Sequence, residues 1–406
     1  MNQIAVKDLQ SIIQQTFGKE IIVESYETKD FLPPGENYGS KIVSVDAKIR
    51  KTKSNKIENL YMIAKLPPPT QFQRDMFDTP FTFKKEIFMY SEIFPAYKKL
   101  EIDNGINENK VFNNHATYYG SRLSLNSNVE FDDDAAIVLE NLKVQGYYMV
   151  DRKIGCDLNH SKIAIQTLAR FHSLGIAMKH KNPSFFEVLK IKSKCLEFKN
   201  PESWESIMKS LSTTIEHDEK IKQYFPSCEK AFSAGTAESW RAIPDEPWSS
   251  IIHADFWTNN FMFHKSAETG IPDDIKFVDF QNYLFLSPLR ELAFFLGVGL
   301  ESDVFKTHYN DLVDYYYQVL IERLQLLNCD VTPYSRDTFN EQLRKDTCIE
   351  FTHCACMLKI ITIDVDASDP NAHNVKSLLE SSPKNEIFIN RVRNYVTLLC
   401  EQNWLD

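Results

Sequence analysis

One stretch limits what this chain can fold into more than any other. It is Ile251-Ile252-His253-Ala254-Asp255-Phe256-Trp257-Thr258-Asn259-Asn260, followed by Phe277-Val278-Asp279-Phe280-Gln281. Each apolar run reads as a short strand that delivers polar residues to a loop: His-x-Asp-x4-Asn after the first, a single Asp after the second. Asp255 can accept the proton of a bound hydroxyl or orient it. Asn260 and Asp279 offer the hard oxygen atoms that Mg²⁺ takes. These residue types in this order meet the needs of phosphoryl transfer from ATP, which depends on positioning and charge neutralisation. His253 is read as a scaffold residue that hydrogen-bonds the loop backbone.

A lone His-x-Asp-x4-Asn could be an ordinary capped turn, and Asp279 alone a strand-end acid. The flanking strands and the order of the set give the pattern its weight. Gln281 stands where a protein kinase would carry Gly. Pro288 follows shortly after Asp279 and no Ala-Pro-Glu appears, which leaves little room for a peptide-docking segment. A small hydroxylated molecule is therefore the expected acceptor.

Upstream, Lys65 ends the apolar run Leu60-Tyr61-Met62-Ile63-Ala64. A lysine there is costly to bury without a partner. A helix is expected at about 82–94, where Phe83, Ile87, Tyr90 and Phe94 form the apolar stripe and Glu86 flanks it. Glu92 points away from that stripe, so Glu86 is the expected partner, and the pair would aim the ammonium at the ATP phosphates. Gly35-Glu36-Asn37-Tyr38-Gly39-Ser40 joins two expected strands, with Gly35 and Gly39 the candidate nucleotide-facing glycines. It is not Gly-x-Gly-x-x-Gly and reads equally as a hairpin turn. Leu139-Glu140-Asn141-Leu142 ends a buried strand and suits a hinge, with Glu140 and Leu142 as candidates for the adenine edge.

The chain has 406 residues, enough for two lobes, and a net charge of −10 without a dense basic run. Nucleic acid and anionic membranes are therefore not expected partners. No obligate protein partner is expected either. The eight cysteines include no Cys-x-x-Cys, and no apolar run of signal-peptide or membrane-spanning length occurs. Reduced thiols in a cytoplasmic protein are the expectation. His353-Cys354-Ala355-Cys356 reads as helix packing rather than a metal site. Trp257, Tyr283, Phe285 and Phe351 are candidates for an apolar acceptor pocket, with core packing the default for each.

Extended segments are expected at 21–28, 41–51, 59–66 and 135–139, and short strands near 249–253, 260–264 and 275–279. Helical spacing covers 4–17, a helix after Asn159 or Ser161 as N-cap, 220–240, 303–328 and 335–362. The expected fold is α+β and two-lobed: a small β-rich N-lobe over 1–142 and a large helical C-lobe over 143–406.

These pieces resemble a known family. GENYGS (35–40), Ala64-Lys65, FKKEIFMYSEIFP (83–95), LENL (139–142), GYYMVDR (146–152), LARFHSL (168–174), HADFWTNNFMF (253–263) and VDFQ (278–281) resemble the insect ecdysteroid kinase-like proteins. These are also described as choline-kinase-like (CHK) domain proteins and belong with the aminoglycoside phosphotransferase and choline kinase group. The resemblance implies a protein-kinase-like fold and ATP- and Mg²⁺-dependent phosphorylation of a hydroxyl on an ecdysteroid-like steroid or hydroxylated xenobiotic. By motif position it implies Asp255 as catalytic aspartate, Asn260 and Asp279 as metal ligands, and Lys65 and Glu86 as the phosphate-anchoring pair. Glu291 in SPLRELAFF (287–295) stands where relatives usually carry Asp. A choline- or aminoglycoside-type acceptor is the alternative within the class and would ask for acidic or aromatic cage residues beside Asp255. A catalytically dead kinase-like module that binds a ligand or protein is the alternative from another class.

Overall fold

The computed structural model describes residues 6–31, 39–197, 201–362 and 385–405. Helix α1 (Leu9–Phe17) buries Leu9, Ile12 and Ile13, and the Asp8 side chain caps it by accepting from the Ser11 N–H. Strands β1 (Ile21–Asp30), β2 (Lys41–Lys51) and β3 (Glu58–Leu66) follow. Helices α2 (Gln71–Met76), α3 (Thr79–Phe88) and α4 (Phe94–Asp103) come next, then strands β4 (Tyr118–Arg122) and β5 (Ala136–Glu140). The five strands form one antiparallel sheet in the order β1-β2-β3-β5-β4.

The two-residue period of the sheet decides which way its side chains go. Val43, Val45, Ala47, Met62, Ala64, Ala136 and Val138 pack with α1 in a core of their own. Ile137 and Leu139 go to the opposite face and join Phe83 and Met89 in the main core. Lys65 follows Ala64, so strand parity turns it toward α3. Gly120 sits where α1 crosses β4, and a Cβ there would lie 2.2 Å from the Ile12 carbonyl oxygen.

The larger lobe holds α5 (Leu158–Lys181), α6 (Pro183–Lys192), α7 (Pro201–Glu216) and α8 (Phe225–Ala234). These are followed by β6 (Ser250–Ile252), β7 (Phe261–Lys265), β8 (Pro272–Phe277) and β9 (Leu284–Leu286). Helices α9 (Pro288–Val298), α10 (Ser302–Leu326), α11 (Arg336–Thr362) and α12 (Glu386–Glu401) complete it. β6 pairs with β9 and β7 with β8. The loop between β6 and β7 carries Asp255 and Asn260; the one between β8 and β9 carries Asp279 and Gln281. The α+β, two-lobed, kinase-like architecture expected from the sequence is what the chain adopts.

Several details depart from expectation. The helix foreseen at 82–94 begins earlier, at Thr79, and continues past Pro95 to Asp103. Pro95 lacks the N–H for an intrahelical bond and its ring crowds the preceding turn. The chain absorbs this with a single π turn at Met89–Ile93, where the Phe94 N–H donates to the Met89 carbonyl. The N-cap of α5 is Asp157, which accepts from the His160 N–H, rather than Asn159 or Ser161. The stretch 220–240 is not one helix. Gly235 ends α8 against α11, where a Cβ would meet Thr352 Oγ1 at 2.4 Å. β4 and β9 have too few residues to show a period in sequence.

Candidate active site

Lys65 is the centre of the cleft. Its Nζ lies 2.5 Å from Glu86 Oε2 on α3, 2.5 Å from Asp279 Oδ1 and 3.2 Å from Gln281 Oε1. The Lys65 and Glu86 side chains are 4% and 1% exposed, that of Asp279 22%. Burial works against the Lys65 charge, but Asp279 and Glu86 outweigh it and hold the ammonium above its ordinary range. Burial lifts Glu86 in turn, opposed by Lys65, with Asp279 adding to the lift and the Phe280 N–H lowering it. Glu92, on the same helical stretch, is exposed.

The loop after β6 is held by Glu291 at the start of α9. Its carboxylate accepts from the His253 N–H at 2.9 Å, the Ala254 N–H at 2.5 Å and His172 Nε2 at 2.8 Å. The longer side chain at 291 thus spans to both backbone donors. His172 Nδ1 is bonded to the Tyr316 hydroxyl at 2.7 Å, which ties the brace to α5 and α10. His253 is fully buried, burial lowers its pKa, and its Nε2 meets the Val278 carbonyl at 2.9 Å. It joins the two site loops, as expected of a scaffold residue. Ala254 and Asp279 both occupy the left-handed region, with φ of 66° and 64°. Such positions are sparsely populated and are kept where the surroundings over-determine them. Phe280 wedges between the lobes, 4.9 Å from the Phe94 ring and 4.7 Å from His253.

Asp255 accepts from Asn260 Nδ2 at 2.8 Å, and its own carbonyl accepts from the same nitrogen at 2.9 Å. Burial, then the neighbouring Asp279 charge, pushes the Asp255 carboxyl up to about 7. Both Asn260 amide bonds are made by its nitrogen, and among the described residues no donor bonds its oxygen. Glu86, Asp279 and Asp255 are three carboxylates against the single Lys65 ammonium. These carboxyl groups and a hard amide oxygen form a donor set that suits Mg²⁺. Among the described residues no group of three His, Cys, Asp or Glu is arranged as a metal site. Two protein ligands, with waters and phosphates completing the shell, are usual for this ion.

At the hinge, the Glu140 N–H is committed to the Thr117 carbonyl and the Asn141 N–H to the Tyr61 carbonyl. The Glu140 carboxylate accepts from Thr117 and Gln145. The Leu142 N–H has no acceptor among the described residues. Gly39 brings its backbone against Gln281: a Cβ there would lie 3.2 Å from Nε2. Gly35 lies outside the described residues. Of the aromatics proposed for the acceptor, Phe351 is core, stacked 5.5 Å from Tyr395, and Tyr283 is buried. Trp257 and Phe285 are partly buried. His353 stacks 4.2 Å from Phe294, and Cys354 and Cys356 are buried free thiols.

Beside Ala254 a small apolar cluster of Ile252, Leu284 and Leu286 is flanked by Cys195 and Trp240. Sequence reading missed it because its members come from four separate stretches. Arg290 lies 4.6 Å from the Trp240 ring and is paired with Glu350, which also meets His353 at 3.0 Å.

An antiparallel sheet whose lysine pairs with a helix-borne glutamate, above a helical lobe presenting Asp255, Asn260 and Asp279, defines a kinase-like phosphotransferase. The short run from Asp279 to α9 leaves no peptide-docking segment, which places it among those acting on small molecules. The chain belongs to the ecdysteroid kinase-like family, whose sequence profile matches residues 34–329. No curated protein matches it. Among solved structures it is similar to aminoglycoside 2'-phosphotransferase-IIIa in its GDP complex, at 14% identity and TM-score 0.41, covering 91% of this chain and 96% of that one. It is also similar to choline kinase from Cryptosporidium parvum Iowa II, at 10% identity and TM-score 0.43, covering 96% and 94%. Spectinomycin phosphotransferase with ADP and spectinomycin follows at 12% identity and TM-score 0.37, covering 82% and 93%. Similarity this low does not bear on activity or substrate.

Proposed function

We propose that this protein is an ATP- and Mg²⁺-dependent kinase that phosphorylates a hydroxyl of an apolar small molecule, of the ecdysteroid or hydroxylated-xenobiotic kind. The convergence of Lys65, Glu86 and Asp279 within hydrogen-bond reach, next to the Asp255–Asn260 pair, supports this most directly. Asn260 and Asp279 would hold Mg²⁺, which neutralises phosphate charge as the transferring group leaves ATP. Lys65 would turn from Asp279 to the phosphates while Glu86 keeps it aimed. Leu142 would offer its N–H to the adenine edge. Asp255 would orient the acceptor hydroxyl and take its proton, and its raised pKa suits a group that must bind one.

The apolar acceptor is favoured over a cationic one by the buried apolar cluster beside Ala254. Its base is Ile252, Leu284 and Leu286. The nearby Glu350 is already committed to Arg290 and His353 and so is not free to cage a choline or aminoglycoside. The test is a screen of hydroxylated steroids, xenobiotics and cationic alcohols with labelled ATP and Mg²⁺, with mass spectrometry of any product. Asp255→Ala should lower turnover at least about 10³-fold while ATP still raises the melting temperature. Unchanged turnover would defeat the role of Asp255. Absence of any Mg²⁺·ATP stabilisation in the unaltered protein would point to a dead binding module.

A further inference from the structure

The residue before Glu86 is also a buried lysine, and nothing above uses it. Lys85 is 5% exposed on α3, in the smaller lobe. Its Nζ donates to the Lys194 carbonyl of the larger lobe at 2.8 Å. It sits 4.8 Å from the Tyr283 ring centre and 5.4 Å from that of Phe81. Among the described residues no carboxylate accompanies it: burial pushes the ammonium down to about 7, countered by the Cys195 thiol. Placing an amine there is unfavourable in itself, since a buried ammonium without a counter-ion is costly. Phe88, three residues on and so on the same helix face, lies 5.6 Å below Lys192 Nζ. One face of α3 therefore meets the segment 192–195 twice, while Glu86 turns to Lys65.

That segment leads to the acceptor side. Ser193 accepts from the Phe285 N–H at 3.4 Å, and Cys195 packs on the Ile252, Leu284, Leu286 and Ala254 cluster. Burial raises the Cys195 thiol, countered by the nearby charges of Lys85, Arg241 and Arg290.

We infer that Lys85 is a positioning residue for the acceptor: its bond to the Lys194 carbonyl sets the 192–195 wall against the helix that carries Glu86. The inference rests on the kinase reading above. It makes acceptor binding and nucleotide anchoring depend on one helix, with adjacent residues serving the two ligands.

Lys85→Met keeps the length and removes the donor. It should raise the acceptor KM about tenfold, leave the ATP-induced melting shift and the slow acceptor-free hydrolysis of ATP within about twofold, and leave the fold intact. Hydrogen exchange of the free protein should rise at 192–197 and stay unchanged at 253–260. Tyr283→Leu, which keeps the amine but removes its aromatic seat, should give the same split at smaller size and serves if Lys85→Met does not fold. An acceptor KM within twofold of the unaltered protein, or unchanged exchange at 192–197, overturns the inference. If no acceptor is ever phosphorylated, the kinase reading fails while the exchange experiment still decides the role of Lys85 in the wall.

Discussion

Lys65 offers the sharpest energetic test. Its ammonium is shared by Glu86 and Asp279 at 2.5 Å each, and Glu86 is 1% exposed. Removing one member of a buried ion pair costs about 3–5 kcal/mol, because the other charge is stranded. Lys65→Met strands two carboxylates, so about 3–5 kcal/mol is expected. Glu86→Gln leaves Lys65 with Asp279 as counter-ion, which limits the loss to about 2–3 kcal/mol on the same scale. In the double variant the surviving charge is Asp279, at 22% exposure partly in water. Its cost should then fall below the sum of the singles by about 2–3 kcal/mol, at the upper end of the range for coupled contacts. Urea unfolding of the four proteins at neutral pH measures the cycle. Additivity within about 0.5 kcal/mol would mean the three groups do not act as a unit, and the account of the cleft would be wrong.

Glu291→Gln puts an amide where two backbone N–H groups and His172 now find oxygen. A loss of about 1–3 kcal/mol is expected from the donor left unmatched, with turnover falling further than for Glu291→Asp; thermal melts and steady-state rates check both. His115 is stacked 3.9 Å from Phe94, and burial pushes its pKa down to about 4. The unfolded chain then binds the extra proton first, so stability is lost as pH falls from about 6.5 toward 4, by at most about 3 kcal/mol. His115→Phe should flatten that part of the pH–stability curve, and an unchanged slope would assign it to other groups.

Much of this site was legible because its parts lie at places sequence marks well. Asp255 and Asp279 follow strands, and the helical period singled out Glu86 over Glu92. Glu291 was visible as a departure from relatives, but its reach to two backbone donors needed coordinates. Gln281 was noted for what it replaces, not as a ligand of Lys65, since that contact spans the two lobes. Lys85 and the Cys195–Trp240 patch depend on packing between distant segments, for which no local pattern exists. The π turn went unseen because Pro95 looks like a stop signal unless the wider register can be rescued.

That uninterrupted run from Thr79 to Asp103 has one more meaning. Glu101, completely buried near its end, accepts from the Phe112 N–H at 2.5 Å and is paired with Arg323 of α10. The rod bearing Glu86 at one end is thus bolted into the opposite half of the protein at the other. An enzyme wired this way cannot be turned off by swinging that rod outward without tearing a buried carboxylate from its arginine. The Glu86 end should therefore hold its place whether the cleft is empty or filled.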